Sequence, residues 1–159
     1  MKYDTNPFDK THDADKAQIW NMLVLRDIDA FIAADWAMVE NDFMADKFMG
    51  VDGGGHDKPQ DWKMTFPTLN DYKTLWLSQA VSAKKVEYAE DIRAAIHRVT
   101  SLTEIDINQH KALVTKKFNG QIKLADGGLD KLNWQTLYFC EKQAEEWKIT
   151  GFIGYLPYL

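Results

Sequence analysis

One property constrains the fold of this chain more than any other. Its apolar residues are spaced for helices in the first part and for strands in the second. Trp20, Leu23, Val24, Phe31 and Ala34 recur at helical steps and share one helix face. Asp35 is a candidate N-cap for a second helix carrying Trp36, Val39 and Phe43 on its apolar face. A third helix is expected from Thr68, where Thr68 and Asp71 have capping-box spacing just after Pro67. Its stripe is Tyr72, Leu75, Trp76, Gln79 and Ala80. From about Ile92 the pattern becomes strand-like, through residues 102–107, 112–115, 134–139 and 147–155. Residues 108–111, 125–128 and 143–146 read as turns, and the Gly- and Pro-containing stretch 50–67 as a long loop. Helices first and antiparallel strands afterwards imply an α+β domain, with helices packed on one face of a sheet. The polar residues 1–14 read as a flexible N-terminal arm and residues 15–159 as one domain.

Composition excludes several functions. Hydrophobic residues are 45% and charged residues 27% of the 159, so a disordered or fibrous chain is not expected. A net charge of −5 argues against nucleic acid and anionic membrane surfaces, which call for dense Lys and Arg. No apolar run approaches the ~20 residues of a membrane helix. The polar start carries no visible secretory signal, and the single cysteine, Cys140, fits a reducing compartment, so a cytoplasmic location is expected. The four His are scattered, and no metal-ligand spacing occurs. Gly53, Gly54 and Gly55 lack the ending of a phosphate loop, and no cofactor is expected; no Gly-x-Ser-x-Gly elbow marks a serine nucleophile. Aromatics reach 13%, with six Trp, enough to wall an apolar pocket.

Several short motifs in order carry a family resemblance. They are Ala34-Asp35-Trp36 at a helix junction, Phe43-x-x-Asp46, Asp52 after Val51, the run His97-Arg98-Val99-Thr100-Ser101, Ala112 after a short turn, and Glu146-Trp147-Lys148-Ile149. Over residues 15–157 the sequence resembles the nuclear transport factor 2-like superfamily, which includes ketosteroid isomerase, scytalone dehydratase and polyketide-cyclase-like proteins. The resemblance implies a cone: three N-terminal helices closing a curved, mostly antiparallel sheet, with a ligand in its mouth. It also implies a tendency to form homodimers.

Four residues could carry chemistry. Asp27 falls in the middle of the first helical stripe, where a carboxylate must be paired, protonated or open to a cavity. Arg93 and Arg98 are its candidate ion-pair partners. By resemblance, Asp27 occupies the place of a tyrosine oxyanion donor in ketosteroid isomerase. Asp52 lies within a residue of that enzyme's general base; otherwise Asp-Gly-Gly-Gly is a simple turn. His97, read as a strand residue, matches by resemblance a catalytic histidine of scytalone dehydratase; otherwise it is structural. Tyr138 matches the second oxyanion donor, or simply packs. Trp20, Phe31, Trp76 and Trp134, with Trp147, are candidate ligand-contacting aromatics or plain core. Trp134, Thr136, Tyr138 and Cys140 alternate on one strand face and Leu137 and Phe139 on the other, and either face can be the inner one. The expected function is a cofactor-independent isomerase, dehydratase or cyclase acting on a small apolar molecule, with residues 53–67 as a lid. The alternative is a non-catalytic ligand-binding or dimerisation module.

Overall fold

The structure, a computed structural model, describes residues 3–158. The first element is one continuous helix in three parts: α1 (Ala14–Trp20), a π-helical segment (Asn21–Arg26) and α2 (Asp27–Ala33). Its broad buried face includes Ile19, Trp20, Leu23, Val24 and Ile28. Ala34, at φ 52°, ends it in the left-handed conformation. Before it, residues 3–13 lie on the domain: Asn6 Nδ2 donates to the Ala17 carbonyl at 2.9 Å, and Phe8 packs against the core.

The second expected helix is replaced by two short 3₁₀ turns, Trp36–Met38 and Glu40–Asp42. Asp35 does cap, accepting from the Ala37 N–H at 3.1 Å. Stacking of Trp36 on Phe43, centroids 5.2 Å apart, and a bidentate Arg26–Asp42 pair then hold the segment in tight turns. The stretch 50–67 is likewise not only loop. It holds β1 (Met49–Asp52) and β2 (Lys63–Phe66), and β1 pairs parallel with the last strand, a contact no local pattern reveals. The third helix, α3 (Leu69–Lys84), begins as expected, with Thr68 and Asp71 forming the capping box.

A further correction concerns residues 92–99. They form a helix, α4 (Ile92–Val99), not the start of a strand. Asp91 caps it by accepting from the Ala94 N–H at 2.9 Å, and Ile92, Ala95, Ile96 and Val99 are spaced for a helix face. The strands then follow: β3 (Thr100–Asn108), β4 (Lys111–Lys123), β5 (Leu129–Gln143) and β6 (Glu146–Leu156). They form a six-stranded sheet of order β2-β1-β6-β5-β4-β3, antiparallel except at β1–β6. The fold is therefore α+β, with helices on one face of a mostly antiparallel open sheet.

The inner face is settled by burial. Val114, Cys140, Ile149 and Phe152 are buried against the helices, whereas Leu113 and Phe139 are exposed on the other side. Tyr138 and Thr136 thus point inward with Cys140. Between Gln135 and Leu137, β6 carries one extra residue relative to β5. Tyr155 sits in this bulge at φ 54°, a conformation costly for a bulky side chain.

Candidate functional site

A cavity of about 330 Å³ lies between the helices and the inner sheet face. Its walls are aromatic and aliphatic. Phe31 and Trp76 meet edge to face, with centroids 5.7 Å apart, and Phe118 and Trp134 pack at 4.9 Å. Tyr72 and Phe152 pack at 4.7 Å, and Ile92 and Ile96 of α4 close one side. Phe31, Trp76 and Trp134, three of the four aromatics expected at a ligand, line this space. Trp20 does not: it belongs to the core beneath with Ile19 and Leu23. Trp147 is also core, its Nε1 donating to Asp15 at 3.0 Å.

The polar floor is built by Asp27, Lys116, Thr136 and Tyr138. Lys116 is only 1% exposed, and its Nζ donates to Asp27 Oδ2 at 2.9 Å and to the Leu23 carbonyl at 2.5 Å. The second bond is explained by the helix. Through the π segment the ladder is out of α register: the Asp27 N–H turns to the Val24 carbonyl, and the Leu23 oxygen accepts from the lysine. Lys116 Nζ also lies 5.2 Å from the Phe118 ring centroid. Asp27 is thus the paired residue its position demanded, but its partner is Lys116, neither Arg93 nor Arg98. Arg93 bonds Asp29 and Asp4, and Arg98 bonds Glu90. One third of the Asp27 side chain remains accessible, and it faces the cavity.

Lys116 was not anticipated from the sequence. The signal was there: it falls in phase with Ala112, Val114 and Phe118, a lysine on the apolar face of a strand. The expected strand ended at Thr115, one residue short.

Tyr138 shares the floor with Asp27. Burial pushes its hydroxyl well above the usual phenol range, and the Asp27 charge adds to the effect. Tyr72 is raised in the same way, by burial and then by Tyr138 and Asp27. Both rings therefore present neutral hydroxyls to the cavity at physiological pH, as donors in a site largely shielded from water.

The mouth is crossed by Tyr155, whose hydroxyl accepts from Gln79 Nε2 at 3.1 Å. Outside this bridge is an open cleft lined by Asp52, Gly54, Gly55, Asn133 and Pro157. Gln79, Trp134 and Tyr155 line both spaces, so the cleft and the cavity adjoin at the bridge. Asp52 belongs to the cleft, not to the cavity. Its Oδ1 accepts from the Gly54 N–H at 2.8 Å, the turn interaction expected of Asp-Gly. The segment after it is pinned to β6: Gly53 and Gly55 N–H groups donate to the Gly154 and Tyr155 carbonyls.

His97 lies on α4 rather than on a strand, and the residues of α4 that line the cavity are Ile92 and Ile96. It is 2% exposed, and neither ring nitrogen has a hydrogen-bond partner among the described residues. Burial lowers its pKa, as does the nearby Arg93 charge. Cys140 is buried, and burial raises its thiol to about 12, so it acts as packing. Among the described residues no group of three His, Cys, Asp or Glu side chains could hold a metal ion, and no helix is long and apolar enough to cross a membrane.

The arrangement of helices laid on one face of this sheet matches known structures. A nuclear transport factor 2-like protein of unknown function from Shewanella baltica is 12% identical, with a TM-score of 0.56 over 92% of this chain and 96% of its own. A nuclear transport factor 2-like protein with a cystatin-like fold from Novosphingobium aromaticivorans is 7% identical, with a TM-score of 0.54 over 91% of this chain and 82% of its own. A candidate ketosteroid isomerase from Shewanella frigidimarina is 17% identical, with a TM-score of 0.50 over 84% and 91%. The chain therefore has the nuclear transport factor 2-like, cystatin-like fold. No protein-family model and no curated protein matches the sequence.

Proposed function

We propose that this protein binds a small, largely apolar molecule in the cavity between α2, α3, α4 and the sheet. One observation carries the reading: a space of about 330 Å³ walled by aromatic rings converges on a few polar groups, Asp27, Lys116 and Tyr138, at one end. The volume falls in the range of small-molecule sites, and the polar groups fix orientation. For a ligand with an acidic C–H beside a carbonyl, Asp27 is the base within this cavity and Tyr138 the donor to the enolate oxygen. Asp52 and His97 stand outside it, so acid–base chemistry of the isomerase or dehydratase type would draw on the first two alone. A second reading has its own support. The exposed apolar row Leu113, Phe139 and Met49 on the outer sheet face fits a homodimer.

The test of binding is fluorescence of Trp76 and Trp134 during titration with cyclic enones and phenolic ketones. A saturable change in the native chain, abolished by the cavity-filling Ile96→Trp, is expected. Flat titrations with every compound, on protein shown to be folded, would overturn the binding reading.

A further inference from the structure

Charge across the cleft and the cavity is one-sided. Among the described residues, the outer cleft is lined by one acidic side chain, Asp52, and by no Lys, Arg or His. The cavity proper holds two more, Asp130 on β5 at the rim and Asp27 at the floor. Among the described residues its single cationic lining residue is Lys116, which is 1% exposed and already bonded to Asp27 and the Leu23 carbonyl. Lys116 therefore offsets Asp27 and offers little to an incoming group. Asp130 and Asp52 make no ion pair among the described residues, so cleft and cavity together carry a net negative charge. The whole chain, at −5, adds a field of the same sign.

The walls reinforce that sign. Trp76, Trp134, Tyr72 and Tyr138 line the cavity, and aromatic rings accept cations on their faces. An anionic group entering here would lose its water and gain no free cation, which is expensive. A cationic group would exchange water for ring faces and the carboxylates. Resting on the reading of the cavity as a small-molecule site, we propose that its ligand is an organic ammonium, an apolar body carrying a protonated or quaternary nitrogen, and that carboxylic acids of the same shape are rejected. The nitrogen lies within reach of Asp27 or Asp130, and the apolar body fills the space between Phe31, Trp76 and Trp134. A ligand longer than the cavity displaces the Gln79–Tyr155 bridge and reaches Asp52.

The experiment is calorimetry at low salt with three probes of one shape: naphthylmethylamine, naphthylmethanol and naphthoate. The amine should bind about tenfold more tightly than the alcohol, the factor one desolvated cation–π contact or close charge pair supplies, and naphthoate weakest. Asp130→Asn, at an exposed rim position, should keep the fold and narrow the ratio of amine to alcohol affinity. High salt should narrow it in the same direction. If the alcohol or naphthoate binds as tightly as the amine, the ammonium inference fails and the cavity reading stands. If an unchanged preference survives Asp130→Asn and Asp27→Asn together, the carboxylates do not set it and the inference fails as well. If none of the three binds folded protein while an enone or phenolic ketone does, the ammonium inference alone fails; if those titrations are flat as well, the cavity reading fails and takes the inference with it.

Discussion

At the scale of single residues, the Asp27–Lys116 pair governs both stability and the site. Lys116 is enclosed, so removing its counter-charge leaves a buried cation with only the Leu23 carbonyl and the Phe118 ring beside it. Asp27→Leu should therefore cost about 3 kcal/mol, the scale of breaking a buried pair from one side. Replacing both partners, Asp27→Leu with Lys116→Met, should recover most of that loss, because no charge is left stranded. Urea denaturation of the two variants decides it: a double variant no more stable than Asp27→Leu would mean that the pair is not the source of the cost. How far this pair was legible follows from its geometry. A carboxylate interrupting the stripe of Trp20, Leu23, Val24 and Phe31 announces that it is paired or faces a cavity. The identity of the partner does not follow, since it lies 89 residues away on a strand. The resemblance placed Asp52 and His97 at chemistry, yet side-chain direction decides such roles. Asp52 turns to its own Gly54 N–H, and His97 turns into the packing of α4.

Among the elements, α4 makes a prediction of its own through His97. Burial and the Arg93 charge lower its pKa in the folded protein, with Asp4 and Asp29 opposing and Lys116 adding a minor push downward. The folded state therefore resists the proton that the unfolded chain accepts near pH 6.5. As pH falls below that value, the unfolded state binds more protons and stability declines, by up to about 1.4 kcal/mol per pH unit, until the lowered folded pKa is reached. In His97→Leu this component should vanish between pH 7 and 5, seen as a flatter plot of denaturation midpoint against pH. An unchanged slope would place the acid sensitivity elsewhere. The same helix shows where local pattern misleads. It runs directly into β3 at Thr100, so the strand pattern that follows masks it, while the stronger cues were the Asp91 cap and the helical spacing of Ile92, Ala95, Ile96 and Val99. The capping box of α3 was legible because its signal is local. The pairing of β1 with β6 was not, because a four-residue strand is stabilised by its neighbour and not by its own composition.

For the molecule as a whole, the homodimer proposed above rests on the outer sheet face. Register puts Leu113, Phe139, Gly151 and Met49 in one row across four strands. A second row, Thr115, Leu137, Ile153 and Val51, lies on the same face, two residues along each strand. A Cβ on Gly151 would fall 2.5 Å from the Met49 carbonyl oxygen, so a glycine is required there, and it leaves a notch between Phe139 and Met49. Leu113, Phe139 and Met49 are all exposed. Ion pairs of both signs border the strip: Lys117 with Glu104 at 2.9 Å, and Lys47 and Lys111 with Glu141 at 3.0 and 2.8 Å. A surface that is apolar in the middle and mixed in charge at its edges is complementary to a copy of itself turned about a two-fold axis, where Lys can meet Glu. A stable dimer of ordinary size covers about 800 Å² on each partner, an area a five- or six-stranded sheet face can supply. The chain should therefore sediment as a dimer at micromolar concentration. Phe139→Glu should make it monomeric with little change in Tm, because Phe139 is exposed in the monomer and contributes little to its core. A native chain that sediments as a monomer, or a Phe139→Glu variant that stays dimeric, would move the interface off this face. The cavity opens on the helix side, so dimerisation across the outer face would leave ligand access unchanged, and the two properties can be measured separately.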